Sequence, residues 1–145
     1  MDRFNRANLV FYAEVDGAGG VGDVVKAEFD AVLGDVDTPR GDHRRECMYR
    51  ILKYFGELLA PKNQDAETQE VLLGQPVSGN EELFQYAVGR VAVLFTVDRD
   101  DGGNLIRIIV MRFCESFEDH PRPSDARIAA RRMHKYRTDT GGSHE

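Results

Sequence analysis

Apolar residues along this chain change period several times, and each period predicts an element. Between Asn8 and Val15, "NLVFYAEV" is rich in β-branched and aromatic residues and reads as a strand. "DGAGG", Asp16 to Gly20, is a loop. Val21, Val25, Phe29, Val32 and Leu33 then recur at helical spacing, predicting a helix from Val21 to Leu33 that Gly34 ends. Thr38 followed by Pro39 supplies an N-cap and a first-turn residue for a second helix. That helix runs to about Ala60 on the stripe Met48, Ile51, Leu52, Phe55, Leu58 and Leu59, the clearest helical period in the chain. Pro61 stops it. Lys62 to Glu70 is polar and reads as a loop, and Val71 to Asn80 reads as an irregular lead-in.

The period then drops to two. "LFQYAVGRVAVLFTVD", Leu83 to Asp98, predicts two strands closed by a two-residue turn, with Gly89 first and Arg90 second in a type II′ geometry. On the second strand Val91, Val93, Phe95 and Val97 alternate with Ala92, Leu94 and Thr96. Both sets are largely apolar, so the strand is expected to be covered on both faces. "DRDDGGN" leads into a last strand, Leu105 to Phe113. The loop is aspartate-rich, but the twelfth position counted from Asp98 is Ile109 rather than the glutamate of a calcium loop, so a solvated connection is expected. Ser124 or Asp125 is placed to cap a final helix, whose apolar stripe is Ala129, Met133 and Tyr136. The expected fold is α+β: a small, mainly antiparallel sheet with two helices from the N-terminal half packed on it and a C-terminal helix. Residues 1–137 make one domain and 138–145 a flexible tail.

Composition narrows the class. The 145 residues are 41% hydrophobic and 30% charged, as in soluble globular domains. No apolar run approaches the roughly 18 residues of a membrane helix, and no secretion signal opens the chain. A cytoplasmic protein without membrane association is expected, with Cys47 and Cys114 reduced and at least half buried. The net charge of −6 is unevenly spread. Residues 121–137 hold Arg122, Arg127, Arg131, Arg132, Lys135 and Arg137 against Asp125 alone, a local charge of +5 that leaves −11 on the rest. Arg40 to Lys53 is also locally basic. Such asymmetry marks either an anionic partner or a solvated helix face.

The order of elements together with the hairpin resembles the RelE/ParE superfamily of bacterial toxins, nearest its HigB-like, phage-Gp49-like branch. The family's opening "VEFY" strand corresponds to "LVFYAEV", and its "K-x-L-x-x-x-L-W-E-L-R" segment to "VLLGQPVSGNEELFQYA". "Y-R-V-L-Y-x-V-D" corresponds to "VAVLFTVD" and "I-V-L-L-H-G-F-x-K-K-x-x-K-T-P" to "IIVMRFCESFEDHPRP". The closing "E-I-x-x-A-x-x-R" helix corresponds to "ARIAARRMHKY". The resemblance spans about Leu9 to Arg137. It implies a toxin that cleaves messenger RNA on the ribosome and is neutralised by a cognate antitoxin. Its chemistry would be metal-free and cofactor-free: a 2′-hydroxyl attacks the adjacent phosphate while arginine and lysine stabilise the developing charge.

The family's cations are largely missing. Its "E-L-R" arginine falls on Ala87, its "Y-R-V-L-Y" arginine on Ala92 and its histidine on Arg112, with the following basic pair near Glu115 and Ser116. Losing one preorganised charge contact costs about a hundredfold in rate. Arg112, Arg90 and Arg107 are the catalytic candidates that remain, Arg112 foremost, with the ion-paired strand arginine as its alternative role. His120 and His134 read as solvated histidines. Arg131, Arg132, Lys135 and Arg127 are the RNA-binding candidates, through sequence-independent contacts. Two functions are therefore expected to compete: an mRNA-cleaving toxin with an eroded site, and a catalytically inactive relative that binds an antitoxin-like protein or serves a phage-related assembly or host-takeover role.

Overall fold

A computed structural model describes residues 8–15, 21–22, 24–33, 40–77, 79–89, 91–115 and 121–138. Gly34, Thr38, Pro39, Arg90, Ser116, His120 and the tail beyond Thr138 lie outside the described residues. Among the described residues the architecture is α+β, with a four-stranded mixed sheet, a small two-stranded sheet and four α-helices.

The sheet is built on the expected meander. Strands β4 (Phe84–Val88), β5 (Val91–Arg99) and β6 (Leu105–Glu115) pair antiparallel in sequence. Val88 pairs with Val91 across the turn, where Gly89 takes a φ of 57°. That left-handed conformation costs glycine nothing, which is why the turn needs it. β1 (Leu9–Phe11) then adds to β6 in parallel, giving the order β1-β6-β5-β4. Every residue from Val91 to Thr96 is buried, so β5 is covered on both faces as its composition predicts.

Helices α1 (Val24–Leu33) and α2 (Arg40–Leu59) cover one face. Phe29 of α1 meets Phe113 with ring centroids 4.8 Å apart, and Phe55 of α2 meets Phe95 edge-on at 5.2 Å. The buried α2 residues Cys47, Ile51, Phe55 and Leu58 follow the helical period. Helix α4 (Pro123–Tyr136) lies against the other face, burying Asp125, Ala129, Arg132 and Met133.

Four sequence expectations are corrected. The first strand breaks after Phe11, and Glu14–Val15 (β2) pairs antiparallel with Val21–Gly22 (β3), so the first helix starts at Val24. The last strand continues past Phe113 to Glu115. α4 starts at Pro123 with Arg122 at its N-cap, and neither Ser124 nor Asp125 caps it. The largest departure is the segment expected to be irregular. It forms a 3₁₀ turn, Pro61–Asn63, and helix α3, Ala66–Leu73. Only Gln69 and Leu73 of α3 are buried, so no apolar stripe announces it. Polar groups hold it instead. Asp65 caps its start by accepting from the Thr68 N–H at 3.0 Å. Gln69 Nε2 donates to the Leu58 and Asn63 carbonyls at 3.0 and 2.9 Å, satisfying the end of α2.

Candidate functional site

The register of β5 against β6 slips once in mid-strand: Leu94 faces Arg112, whereas Phe95 faces Val110. Met111 is thus the extra residue of a β-bulge. A bulge re-aims the side chains beyond it. Val110 shares the α1/α2 face with Phe95, and Arg112 shares the α4 face with Leu94. Simple alternation would put Arg112 and Val110 on one face, in the apolar layer. The bulge is what brings Arg112 out towards α4.

There it meets carboxylates from two helices. Arg112 Nε donates to Asp125 Oδ1 at 2.8 Å, and its Nη1 donates to Glu28 Oε2. Glu28 also holds Arg132, whose Nη2 lies 2.8 Å from Oε2 and whose Nη1 donates to Oε1 at 3.0 Å. The same Nη1 donates to the carbonyl of the bulged Met111 at 2.8 Å. Arg132 further lies 5.8 Å above the Tyr12 ring. β1 ends before it reaches Phe113, and the Phe113 N–H donates to Glu28 Oε1 at 3.2 Å. Glu28 therefore does for β6 what the next residue of an edge strand would have done.

Two guanidinium groups face two carboxylates in this cluster, so it carries no formal excess charge. All four side chains are a fifth exposed or less. Burial lowers the affinity of the Arg112 guanidinium for its proton, but Asp125 and Glu28 more than offset this, and its pKa is raised. Burial pushes the neighbouring Cys114 thiol up to about 12, with the Asp125 charge adding to it. A phosphate would have to displace a carboxylate to reach Arg112.

Arg107 is also taken. Its Nη1 donates to Asp98 Oδ2 at 3.1 Å. Asp98 Oδ1 accepts from Arg137, whose Nη2 donates to Thr96 Oγ1 and to the Val97 carbonyl, both at 3.1 Å. Ala92, opposite Ala87, is 2% exposed, so a cation at that family position would sit in the interior. Arg90 lies outside the described residues. Arg112 and Arg107 are thus separate ion-paired residues, each bound to its own carboxylates.

The RNA-binding candidates divide. Arg132 is buried in the cluster, whereas Arg127, Arg131 and Lys135 are exposed on the outer surface of α4, with His134 among them. None of Arg127, Arg131 and Lys135 forms an ion pair among the described residues. Arg45, Arg50 and Lys53 of the other basic stretch are exposed along α2 on the opposite side of the sheet. No group of His, Cys, Asp and Glu suited to a metal occurs among the described residues. None of the described helices is long and apolar enough to cross a membrane.

Sequence reasoning missed Glu28 and misassigned Asp125. Glu28 did leave a signal: it lies three residues after Val25 and four before Val32, an acid beside an apolar stripe. Compared with protein-family models, curated proteins and solved structures, the chain matches none. What fold and site define is a small α+β domain with a neutralised arginine cluster under α4 and an unpaired cationic stripe on its outside.

Proposed function

We propose that this chain is a toxin-type member of a toxin–antitoxin pair, related to the RelE/HigB toxins, and that it acts by binding rather than by cutting RNA. The order of strands and the helical pair on one face support the relationship. The Arg112 contacts carry the functional part: the best catalytic candidate is held by Glu28 and Asp125. Stabilising a phosphorane-like transition state needs donors that are free and aimed at the developing charge. Neither Arg112 nor Arg107 is free in this sense. Of the four RNA-binding candidates, Arg127, Arg131 and Lys135 on α4 are left for a partner.

The test is induction of the chain alone in cells, with Arg112→Ala beside it, followed by mapping of messenger RNA ends. No new ends from either protein is the expected outcome, whether or not growth slows. New ends that vanish in the Arg112→Ala strain would overturn the proposal. They would establish the second reading, a ribosome-dependent mRNA endoribonuclease, which the unpaired α4 cations favour because they suit an RNA backbone.

A further inference from the structure

A cleft of about 810 Å³ opens between α3 and the loop that joins β5 to β6. Both walls are fixed. Asp100 Oδ1 accepts from the Gly102 and Asn104 N–H groups, each at 2.9 Å, and the Gly103 N–H donates to the Asp100 carbonyl at 3.0 Å. α3 is held by its Asp65 cap and by Gln69. The cleft is therefore preformed, and its size falls within the roughly 300–1,000 Å³ of small-molecule sites.

Phe84, Val71, Leu73 and Pro76 give the cleft apolar surface. Glu70 on α3 and Arg99 at the end of β5 are its charged residues, one of each sign. Both are exposed, and neither forms an ion pair among the described residues. Arg99 Nη1 donates to the Gly103 carbonyl at 3.2 Å, which anchors the guanidinium on the loop and leaves its other N–H donors available. Gln69, 2% exposed, lines the cleft from beneath. Its Nε2 is taken by the Leu58 and Asn63 carbonyls, but its Oε1 has no donor. Those carbonyls lie outside the cleft, so Oε1 is the end of the amide turned towards it. A buried acceptor without a partner is rare in a folded protein and calls for an explanation. Gln64, beside it, is by contrast bonded at both ends of its amide.

We infer that this cleft binds a small zwitterion: an amino acid, or the end of a short peptide, with an apolar side chain. The ammonium group meets the Glu70 carboxylate and gives Gln69 Oε1 the donor it lacks. The carboxylate meets Arg99, whose planar fork suits it. The side chain lies on Phe84 and Val71. A ligand of one charge sign leaves half of the cleft unanswered: a phosphate faces Glu70, and a polyamine faces Arg99. The cleft shares no residue with the Arg112 cluster or with the outer strip of α4, so this site stands apart from the toxin reading.

The experiment titrates the full, ¹⁵N-labelled chain with L-leucine and with dileucine, and reads the amide shifts of Gly74, Gly102 and Gly103 on the cleft walls. The comparison ligands are 3-methylbutylamine, which is leucine without its carboxylate, and 4-methylpentanoate, which is leucine without its amine. In an open cleft water screens each charge, so a dissociation constant on the order of 1 mM is expected for leucine. Each one-charge analogue should bind at least about tenfold more weakly. Arg99→Ala should weaken leucine by about tenfold and leave the amine unchanged, whereas Glu70→Gln should weaken leucine and leave the acid unchanged. Tighter binding of dileucine than of leucine would support the site and name a peptide end as its occupant; the reverse would name the free amino acid. If Arg99→Ala loosens the loop, the four ligands on the unaltered chain still decide the point. No shift at the three glycines with leucine or dileucine would overturn the inference. So would an amine or an acid that binds as tightly as the zwitterion.

Discussion

Removing the Glu28 carboxylate would leave Arg112 and Arg132 without the acceptor they share, and would also strip the Phe113 N–H of its partner. Breaking a buried ion pair from one side costs more than the pair itself contributes, because the remaining charge stays desolvated. Glu28→Ala should therefore lower stability by on the order of 3 kcal/mol in a urea titration. Glu28→Gln should cost less, since an amide oxygen can still accept from Phe113. The thiols yield a second test. Cys47 is 1% exposed and Cys114 is 4% exposed, and burial raises both pKa values, that of Cys114 to about 12. A raised pKa keeps the thiol protonated, and the thiolate is the reactive form. Neither cysteine should react with iodoacetamide in the folded protein at neutral pH, and both should react once urea unfolds it. Mass spectrometry of the alkylated chain reads the outcome. That these cysteines would be buried was legible in the sequence. The partners of Arg112 were not, because they lie 84 and 13 residues away in the chain. Only the bulge at Met111 turns its side chain towards them.

Elements with a long apolar period were the easy ones. α2 buries Cys47, Ile51, Phe55 and Leu58 at helical spacing, and β5 buries every residue from Val91 to Thr96, so pattern and packing agree. α3 is the opposite case: it owes its place to Asp65, Gln69 and Gln64, whose Nε2 donates to the Leu58 and Ala60 carbonyls and whose Oε1 accepts from the Leu105 N–H. Polar residues that cap and bridge look the same in sequence as a solvated loop. The cap gives a prediction with a defined sign. Asp65 accepts from the Thr68 N–H and hydroxyl, which hold its carboxyl below the ordinary 3.8. A lowered folded pKa means that the contribution is complete above the unfolded value and fades as pH falls through the folded one. Asp65→Ala should thus be less stable than the unaltered chain near neutrality. The difference should close in acid below 3.8. Urea midpoints of the two proteins, compared near neutrality and in strong acid, check this. A gap that widens in acid would mean that Asp65 does not act as the cap.

Taken whole, the molecule is a sheet with an apolar helical layer on one face and a single charged helix on the other. α4 is fastened at both ends by ion pairs and along its middle by Ala129 and Met133. Near its start Asp125 holds Arg112. Just past its last residue Arg137 reaches Asp98, Thr96 and the Val97 carbonyl on β5. A +5 segment on an otherwise acidic chain was visible from composition, but which cations were spent on fastening was not. Arg132 and Arg137 hold the helix, while Arg127, Arg131 and Lys135 face outward. The apolar stripe Ala129, Met133 and Tyr136 puts Arg132 on the inward side, but only the fold shows which acceptors Arg132 and Arg137 reach. The two kinds of arginine should respond differently to removal. Arg137→Ala should free the last turn of α4 and raise amide exchange there by about tenfold or more, as expected when a local opening loses its fastening contacts. Amides of β5 and β6 should keep their protection, since the ladder between them is untouched. Arg131→Ala should change neither, because an exposed cation without a partner has no folded-state contact to lose. Exchange measured by mass spectrometry on the three proteins reads all of this at once. Equal exchange in α4 for Arg137→Ala and Arg131→Ala would mean that the helix is held by its apolar contacts alone, with the Arg137–Asp98 pair contributing nothing to its docking.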